Sequence, residues 1–209
     1  MTQTAGTQFR NVTGTPIAPV LADRWSPRGF DKTHEISQDE LLSIIEAARW
    51  APSSYNNQPW RFVFVYGREN LERFHPSLNS PGNDWAKAAS LIVAVCSRKE
   101  DDCVIRDREY HLLGDGLATA FLILRATELG LVAHPIAGFS PKKTREILGI
   151  PEDHQVITLV IVGKRAADIS PVLSPKQVEQ ETIRPERKPL AEFAFDNRFG
   201  CGLLEEGRP

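Results

Sequence analysis

The sequence WAPSSYNNQPWRF, residues 50–62, separates two segments that have clear secondary-structure patterns. Its central part is rich in side chains that carry amide or hydroxyl groups: Ser53, Ser54, Asn56, Asn57 and Gln58. These groups offer donors and acceptors together, which is what reading the edge of a planar heterocycle requires. A plain polar turn would seldom need them all, so we interpret the segment as a binding loop.

An amphipathic helix is predicted immediately before this loop. Ser37 and Glu40 have the spacing of a capping box, which marks a helix N-terminus. Apolar residues then recur with helical spacing, at Leu41, Ile44, Ile45 and Ala48. The helix is expected to end before Pro52, because proline breaks the hydrogen-bond ladder of a helix interior.

Three apolar segments are predicted to be strands. Residues 61–66 (RFVFVY) are β-branched and aromatic, and residues 91–95 (LIVAV) and 156–162 (VITLVIV) are strongly apolar. We expect the first two of these strands to be central.

Two further helices follow from the pattern. Residues from about 104 to 129 form a long segment whose second half is apolar on nearly every side, as in a helix buried in a core or a subunit interface. Gly130 is expected to end it. A shorter helix is predicted to start at Ser140-Pro141 and to end at Gly149.

The order of these elements indicates an α+β layer fold in one domain, residues 22–209. Residues 1–21 are expected to be a flexible N-terminal arm. Residues 166–209 are charged and interrupted by prolines, so they are predicted to form an extended C-terminal arm that does not pack on itself. Because the long helix is apolar all round and the arm has little core of its own, we expect a homodimer.

Composition excludes several classes of protein. The chain has 209 residues, of which 41% are hydrophobic, but no apolar run reaches the ~18 residues that span a bilayer. The formal net charge of -2 gives no overall field for nucleic acid or an anionic membrane. The cysteines, Cys96, Cys103 and Cys201, are odd in number and lack CxxC spacing, which favours a cytoplasmic location over a disulfide scaffold.

The common motifs of metal, nucleotide and hydrolase sites are missing from the sequence. The five histidines show no standard metal-ligand spacing, so no metal is expected, and neither GxxxxGK[ST] nor GxSxG occurs. Gly114-Asp115-Gly116 lacks the third glycine and the preceding strand of a dinucleotide fingerprint. We interpret Cys96, at the end of an apolar strand, as a small hydrophobic residue rather than a nucleophile.

Two more clusters lie between the predicted elements. Residues 24–28 (RWSPR) carry two arginines and a serine, which suit phosphate oxygens, although a solvated basic turn is an alternative. Residues 134–139 (HPIAGF) include small residues that let backbone N–H groups approach a ligand. Together with Arg187 and Lys188, the clusters supply donors for a phosphate, polar groups for the edge of a heteroaromatic ring, and a backbone that a ligand can approach closely. These are the parts of an FMN pocket.

In these motifs the sequence resembles the FMN-dependent nitroreductase family. The resemblance covers residues from about 22 to 200 and is carried by RWSPR at 24–28, WAPSSYNNQPWRF at 50–62, ELGLVAHPIAGF at 128–139 and RKPL at 187–190. It implies a three-layer α/β/α fold with a central mixed, mainly antiparallel sheet, and a C-terminal arm that reaches the partner subunit of a homodimer. It also implies FMN as cofactor and NADH or NADPH as co-substrate.

The resemblance implies cofactor contacts on both ends of the flavin. Arg24, Ser26 and Arg28 would bind the phosphate and ribityl region, and Arg187 and Lys188 would close on the phosphate. Along the ring system it places Pro52, Ser53, Ser54 and Asn56, split between two subunits, with Ala137 and Gly138 giving backbone N–H contacts near N5 and O4. The implied set is completed by Trp25, Gln58, Pro135 and Ile136.

Two positions differ from the family pattern or align loosely with it. Many members have Glu where this chain has Ala137; since the implied contact is a main-chain one, binding should survive while the polarity of the substrate differs. Asn83, in SPGNDW, resembles the family's asparagine for the pyrimidine edge of the flavin.

The reaction implied by the resemblance belongs to the flavin. Hydride would pass from NAD(P)H through flavin N5 to a nitroaromatic, quinone or similar small electrophilic acceptor, with ping-pong kinetics and no catalytic side chain. Two alternatives stay open. One is a non-catalytic protein that binds flavin or a phosphorylated ligand, and the other is a reductive dehalogenase or enone reductase of the same fold.

Overall fold

The computed structural model describes residues 14–78, 81–167 and 173–202, so predictions for the remaining residues lie outside the described chain. Its helices are α1 (Pro19–Asp23), α2 (Gln38–Arg49), α3 (Arg68–Phe74), α4 (Tyr110–Glu128), α5 (Pro141–Leu148) and α6 (Pro175–Thr182). Its strands are β1 (Arg61–Tyr66), β2 (Leu91–Ser97), β3 (Val104–Ile105), β4 (Arg108–Glu109), β5 (Val132–Ile136) and β6 (Gln155–Gly163).

The main sheet has four strands in the order β1-β2-β6-β5, and each neighbouring pair is antiparallel. β2 and β6 lie in the centre, and every residue of β2 is buried. β1 pairs only with β2 among the described residues, so our expectation that it is central is wrong. Its residues are mostly half-buried or exposed, as at a sheet edge.

Helices cover both faces of this sheet. Leu91, Val93 and Val95 of β2 pack in one core cluster with apolar residues of α2 and α4. The residues between them, Ile92 and Ala94, pack in a second cluster with residues of α3. Successive side chains of a strand point to opposite faces, so β2 serves both clusters. The predicted α+β class and the three-layer arrangement are confirmed.

The ends of the helices agree with their local signals. The Ser37 hydroxyl accepts a hydrogen bond from the Glu40 N–H, and the Glu40 carboxylate accepts one from the Ser37 N–H, which completes the predicted capping box. Ser140 caps α5, and Gly149 follows its end with a φ of 65°. This left-handed conformation costs glycine little, so the end of α5 is encoded locally.

One predicted helix boundary is wrong, and one strand was missed. Arg106 and Asp107 have positive φ angles of 49° and 66° and join β3 to β4, so α4 begins at Tyr110 rather than near residue 104. Residues 132–136 form β5, a strand that the sequence did not reveal. Pro135 lacks an N–H, and β5 tolerates it because this strand is the other edge of the sheet.

Both arms contain structure that the sequence prediction missed. Within the N-terminal arm, Pro19 starts α1. In the C-terminal arm, Ser174 and Gln177 form a capping box and Pro175 takes the first position of α6. Proline is well suited to that position, so here it begins a helix instead of breaking one. None of the helices in the described ranges is long and apolar enough to cross a membrane.

Candidate functional site

Two segments far apart in sequence form the walls of a cleft of about 360 Å³, which is within the usual range for small-molecule sites. One wall is the loop 24–28. The other is the segment 180–187, which comprises the end of α6 and the residues that follow it. We call this the arginine cleft; its lining residues are Arg24, Trp25, Ser26, Arg28, His134, Gln180, Ile183, Arg184, Pro185 and Arg187.

Two arginines contact the ring of Trp25, which lines the arginine cleft. The Arg184 guanidinium is 4.3 Å and the Arg165 guanidinium 4.9 Å from the Trp25 ring centroid. Arg184 also donates hydrogen bonds to the backbone carbonyls of Arg24 and Asp23, at 3.2 and 3.3 Å. Arg184 therefore joins the two walls of the cleft, a role that no local sequence pattern indicated.

The guanidiniums in the arginine cleft are close enough to repel one another. Burial lowers the pKa of Arg24, and the charge of Arg187 lowers it further. Burial lowers the pKa of Arg184 to about 10, with the charges of Arg24 and Arg165 adding to the effect. Arginines at this pKa remain charged at neutral pH, so an anion such as a phosphate would stabilise the cleft.

His134 contacts the loop of the arginine cleft from β5. Its Nδ1 lies 2.9 Å from the carbonyl oxygen of Pro27, which can only accept, so Nδ1 carries the hydrogen. Burial lowers the pKa of His134 to about 4, and the charges of Arg28 and Arg24 lower it further. The imidazole is therefore neutral at physiological pH, and it packs against Trp85 with ring centroids 4.6 Å apart.

The segment after β5 is joined to Asn83. The Asn83 side-chain N–H donates to the Gly138 carbonyl oxygen at 2.6 Å. Residues 135 and 136 belong to β5, and Ala137 and Gly138 follow its end. The structure therefore brings Asn83 together with the predicted backbone contacts, although these lie in segments 55 positions apart.

Pro52, Ser53 and Ser54 lie in a different place, against α4. With Tyr110, Leu113, Gly114 and Leu117 they line a shallow cleft of about 210 Å³, which we call the serine cleft. A Cβ atom on Gly114 would lie 3.0 Å from Pro59, so glycine is needed for this close approach of α4 to the loop.

The loop that carries the serines has an unusual backbone. Tyr55, Asn56 and Gln58 have positive φ angles of 49°, 60° and 50°, which non-glycine residues rarely adopt. The Ser53 hydroxyl accepts a hydrogen bond from the Gln58 N–H at 3.0 Å, and the Gln58 side chain donates to the Asn56 carbonyl at 3.0 Å. Backbone strain of this kind is concentrated at functional sites.

One hydrogen bond ties this loop to Asp102, and a buried polar cluster joins the end of β2 to the start of α4. Asn57 donates a hydrogen bond to Asp102 at 3.0 Å. Close by in sequence, the Ser97 hydroxyl lies 2.5 Å from Asp115 and 2.8 Å from His111 Nδ1. Burial raises the pKa of Asp115 to about 6, against the lowering effect of its bond to Ser97.

The sequence-predicted residues therefore fall into separate groups. Arg24, Trp25, Ser26, Arg28 and Arg187 share the arginine cleft. Lys188 does not line it and instead pairs with Glu192 at 3.4 Å. The serine cleft is a second location on the same chain.

Two residues that line the arginine cleft, His134 and Arg184, and the buried Glu181 behind it were not assigned a role from the sequence. His134 belongs to the cluster 134–139, whereas no local pattern indicated Glu181 or Arg184.

Other chemistries have little support in the described part of the chain. It contains no group of three or more His, Cys, Asp or Glu side chains placed to hold a metal ion. Burial raises the pKa of the Cys96 thiol to about 11, with the nearby charge of Asp115 adding to it. A thiol at this pKa is protonated at neutral pH, which agrees with a packing role.

The structure is thus a three-layer α+β protein with a cleft lined by arginines. The chain belongs to the Nitroreductase family, whose sequence profile matches residues 21–82 and 78–164. The family resemblance noted in the sequence motifs is thereby confirmed.

Individual relatives agree with this assignment. A solved structure described as an oxidoreductase containing FMN has a TM-score of 0.80 and 33% identity, with 96% of this chain and 100% of that chain covered. An oxygen-insensitive NADPH nitroreductase of Helicobacter acinonychis (strain Sheeba) is 43% identical over 188 residues, covering 72% of this chain and 88% of the relative. A CLA biosynthesis enone reductase of Lactiplantibacillus plantarum is 32% identical over 110 residues, covering 53% of this chain and 51% of the relative.

Proposed function

We propose that this nitroreductase-family chain reduces a nitroaromatic, a quinone or a similar small electrophile, with NADH or NADPH as the electron donor and ping-pong kinetics. The chain is an NAD(P)H-dependent FMN oxidoreductase: its relatives include an NADPH nitroreductase, and a structural neighbour contains FMN. The observation that carries the proposal is the arginine cleft, because three arginines predicted to bind phosphate, Arg24, Arg28 and Arg187, line one cavity.

The residues of the arginine cleft fit the phosphate end of FMN. Guanidiniums and a serine hydroxyl are donors that match phosphate oxygens, and Arg24 Nη1 already lies 3.2 Å from the Ser26 hydroxyl. We infer that Arg24, Ser26, Arg28 and Arg187 hold the phosphate, with Trp25 as part of the wall. Lys188 is the weaker contact, because it pairs with Glu192.

The segment at the end of β5 suits the polar edge of the flavin. Pro135 and Ile136 lead to Ala137 and Gly138, and Asn83 holds the Gly138 carbonyl. With that carbonyl fixed, the neighbouring backbone N–H groups are oriented in advance and can donate to a ring oxygen or nitrogen without reorganisation. The neutral His134 brings no charge to this region.

The ring end of the site requires a second subunit. The serine cleft is separate from the arginine cleft on one chain, so we infer that Pro52, Ser53, Ser54 and Asn56, and more weakly Gln58, act on the flavin held by the partner. Tyr55 on the same loop is 86% exposed, and Leu113, which lines the serine cleft, is 56% exposed. Exposed apolar groups of this kind mark interaction surfaces, which favours a homodimer here.

The C-terminal arm and the cellular location stay predictions. Beyond α6, Phe193 is 60% and Phe199 is 88% exposed, so this segment presents large apolar side chains without a core of its own. We infer that it packs on the partner subunit. The cytoplasmic location rests on the number and spacing of the cysteines alone.

When bound, FMN supplies the redox chemistry by accepting a hydride from NAD(P)H and passing the electrons to the acceptor. The residues of the chain bind the cofactor, orient it and set the electric field around it. No side chain acts as an acid or base in this proposal.

The decisive experiment is a visible absorption spectrum of the purified protein, followed by anaerobic addition of NADH or NADPH. Absorption bands should be present at roughly 370 and 450 nm, as for flavins generally. They should bleach when a reduced nicotinamide is added. Initial rates with a quinone or nitroaromatic acceptor should then give parallel double-reciprocal lines. A protein that stays colourless after incubation with FMN would contradict the proposal.

One other activity is favoured by a specific observation. The similarity to an enone reductase over half of that relative's length supports an activated alkene as the oxidant in place of a nitro group or quinone. Reduced enzyme should be mixed with each class of acceptor. The class that restores the oxidised flavin band fastest identifies the oxidant; this band lies at roughly 450 nm in flavins generally. A protein that holds FMN but is reduced by neither nicotinamide would be the non-catalytic flavin carrier.

A further inference from the structure

Glu181 is a buried acid directly behind the arginine cleft. It lies in the last turn of α6, and only 1% of its surface is exposed. Its carboxylate accepts two hydrogen bonds from consecutive backbone N–H groups, those of Arg28 at 2.6 Å and Gly29 at 3.3 Å. These residues are separated by more than 150 positions in sequence, so the contact joins the C-terminal segment to the loop 24–28.

The charge of Glu181 acts favourably on Arg165, where it opposes the lowering of the arginine pKa by burial. A buried charge is costly unless it is paired or hydrogen-bonded, and here the two amide groups supply the hydrogen bonds. A negative charge behind a phosphate site also weakens phosphate binding by direct repulsion. A contribution of Glu181 to phosphate binding is therefore expected through its two hydrogen bonds and not through its charge.

The two hydrogen bonds fix the end of the loop where Arg28 enters the arginine cleft. At the other end of the same loop, Arg184 donates to the carbonyls of Arg24 and Asp23. Between them, the Pro27 carbonyl accepts from His134. The loop is thus held at three points, and Glu181 holds the point next to the Arg28 side chain.

We propose that Glu181 is a positioning residue for the phosphate end of the cofactor site, because its carboxylate fixes the backbone of Arg28 and Gly29 and so directs the Arg28 guanidinium into the arginine cleft. The proposal rests on the proposed function, in which this cleft holds the phosphate of FMN. Glu181 acts through Arg28 and does not touch the cofactor.

Removal of the charge at this position separates three possible roles by the sign of the effect. If Glu181 acted only through its charge, Glu181→Gln would tighten FMN binding, since it removes a repulsion. If Glu181 only stabilised the fold, the melting temperature of the apoprotein would fall while FMN affinity stayed the same. A positioning role predicts weaker binding, because a glutamine can accept from only one of the two N–H groups.

The test is an FMN titration of the apoprotein, followed by flavin fluorescence, together with a thermal melt of each apoprotein. Glu181→Gln should raise the FMN dissociation constant about five- to tenfold, the scale of one ordinary hydrogen bond, because Glu181 acts on the cofactor only through Arg28. The control is Glu179→Gln, the same chemical change at an exposed position of α6, and it should leave the constant unchanged. In an Arg28→Ala background, Glu181→Gln should change the constant less than about twofold, because the residue through which it acts is gone.

Each outcome decides the matter. An unchanged or tighter dissociation constant for Glu181→Gln in a wild type that binds FMN overturns the role of Glu181 and leaves the proposed function intact. An equal effect with and without Arg28 also overturns it. A wild-type apoprotein that does not bind FMN overturns the proposed function and this inference with it. If Glu181→Gln does not fold, Glu181→Asp takes its place: its carboxylate is withdrawn by one methylene, so the same weakening is expected, and an unchanged constant overturns the inference.

Discussion

The arginine cleft and the serine cleft differ in how much of each a single chain supplies. The arginine cleft has two walls, and its loop is held by Glu181, His134 and Arg184 from separate elements. The serine cleft has one loop against one helix and is smaller, at about 210 Å³. Its loop carries the exposed ring of Tyr55, whereas Trp25 of the arginine cleft is half-buried and has two guanidiniums near its ring.

This difference indicates which end of the ligand one chain can bind alone. In the proposed site, the phosphate end meets a loop whose backbone is already held in place, so little ordering of that backbone remains to be done on binding. The ring end would meet half a site, which needs groups from elsewhere to enclose a planar ligand. We therefore expect substitutions in the arginine cleft to change cofactor affinity within each subunit, and substitutions in the serine cleft to act across the dimer.

The largest expected effect is loss of FMN affinity on removal of a phosphate-binding arginine. Arg24→Ala should weaken binding by about 1.5–3 kcal/mol, or roughly 10- to 150-fold, because a charge-assisted hydrogen bond to the phosphate is lost. Flavin fluorescence titration of the apoprotein measures this change. The matched control is Arg73→Ala, which removes the same charge from an exposed position of α3.

An Arg24→Ala variant that binds FMN as tightly as the wild type would remove Arg24 from the site. Equal losses in Arg24→Ala and Arg73→Ala would show that net charge, and not the local contact, governs binding. Either result would break the contrast between the two clefts, since the arginine cleft would then be an ordinary basic surface.

Mixed dimers test whether the serine cleft acts across subunits. Arg24→Ala disables the arginine cleft, and Ser54→Trp disables the serine cleft by filling it. If each FMN site combines the arginine cleft of one chain with the serine cleft of its partner, random mixing of the two variants restores about one site in four. Counting bound FMN per chain after mixing and gel filtration measures this fraction.

The control for this experiment is a mixture of Arg24→Ala with Arg28→Ala. Both substitutions lie in the arginine cleft, so no combination of subunits restores a site. Restoration equal to that control in the Arg24→Ala and Ser54→Trp mixture would mean that one chain supplies the whole pocket, and the shared-site proposal would fail.

Elements with a local code were predictable from the sequence. The capping box at Ser37 and Glu40 and the glycine after α5 depend on neighbours within four residues, so their structure does not need the rest of the chain. The apolar strands β2 and β6 were likewise recognised, since an apolar run buried on both faces has few other interpretations.

Elements whose meaning depends on tertiary contacts were missed. β5 contains His134 and Pro135, which read as a loop until the strand is known to be an edge. Pro175 reads as a helix breaker unless the Ser174 cap is considered with it. Glu181 and Arg184 gave no signal, because each acts on a loop about 150 positions away in sequence. The residue types of the site could be predicted, but not the residues that hold them in place.

The smallest effect is a difference in pH dependence between the two clefts. His134, beside the arginine cleft, has a folded-state pKa of about 4, below the value of about 6.5 in unfolded chains, so acidification from pH 7 to 5 protonates the unfolded state first and destabilises the fold by about 2 kcal/mol. Asp115, on the helix behind the serine cleft, has a folded-state pKa of about 6, above its unfolded value, so the same acidification stabilises the fold by about 1 kcal/mol.

The two substitutions His134→Gln and Asp115→Asn should therefore change the pH dependence of stability in opposite directions. Urea denaturation at pH 7 and 5 should show a smaller loss of unfolding free energy for His134→Gln than for the wild type, because the group that resists protonation is gone. Asp115→Asn should show a larger loss, because the group that gains a proton in the folded state is gone. If the pH dependence of the unfolding free energy changed in the same direction in both variants, the two clefts would not differ in the charge state that they favour.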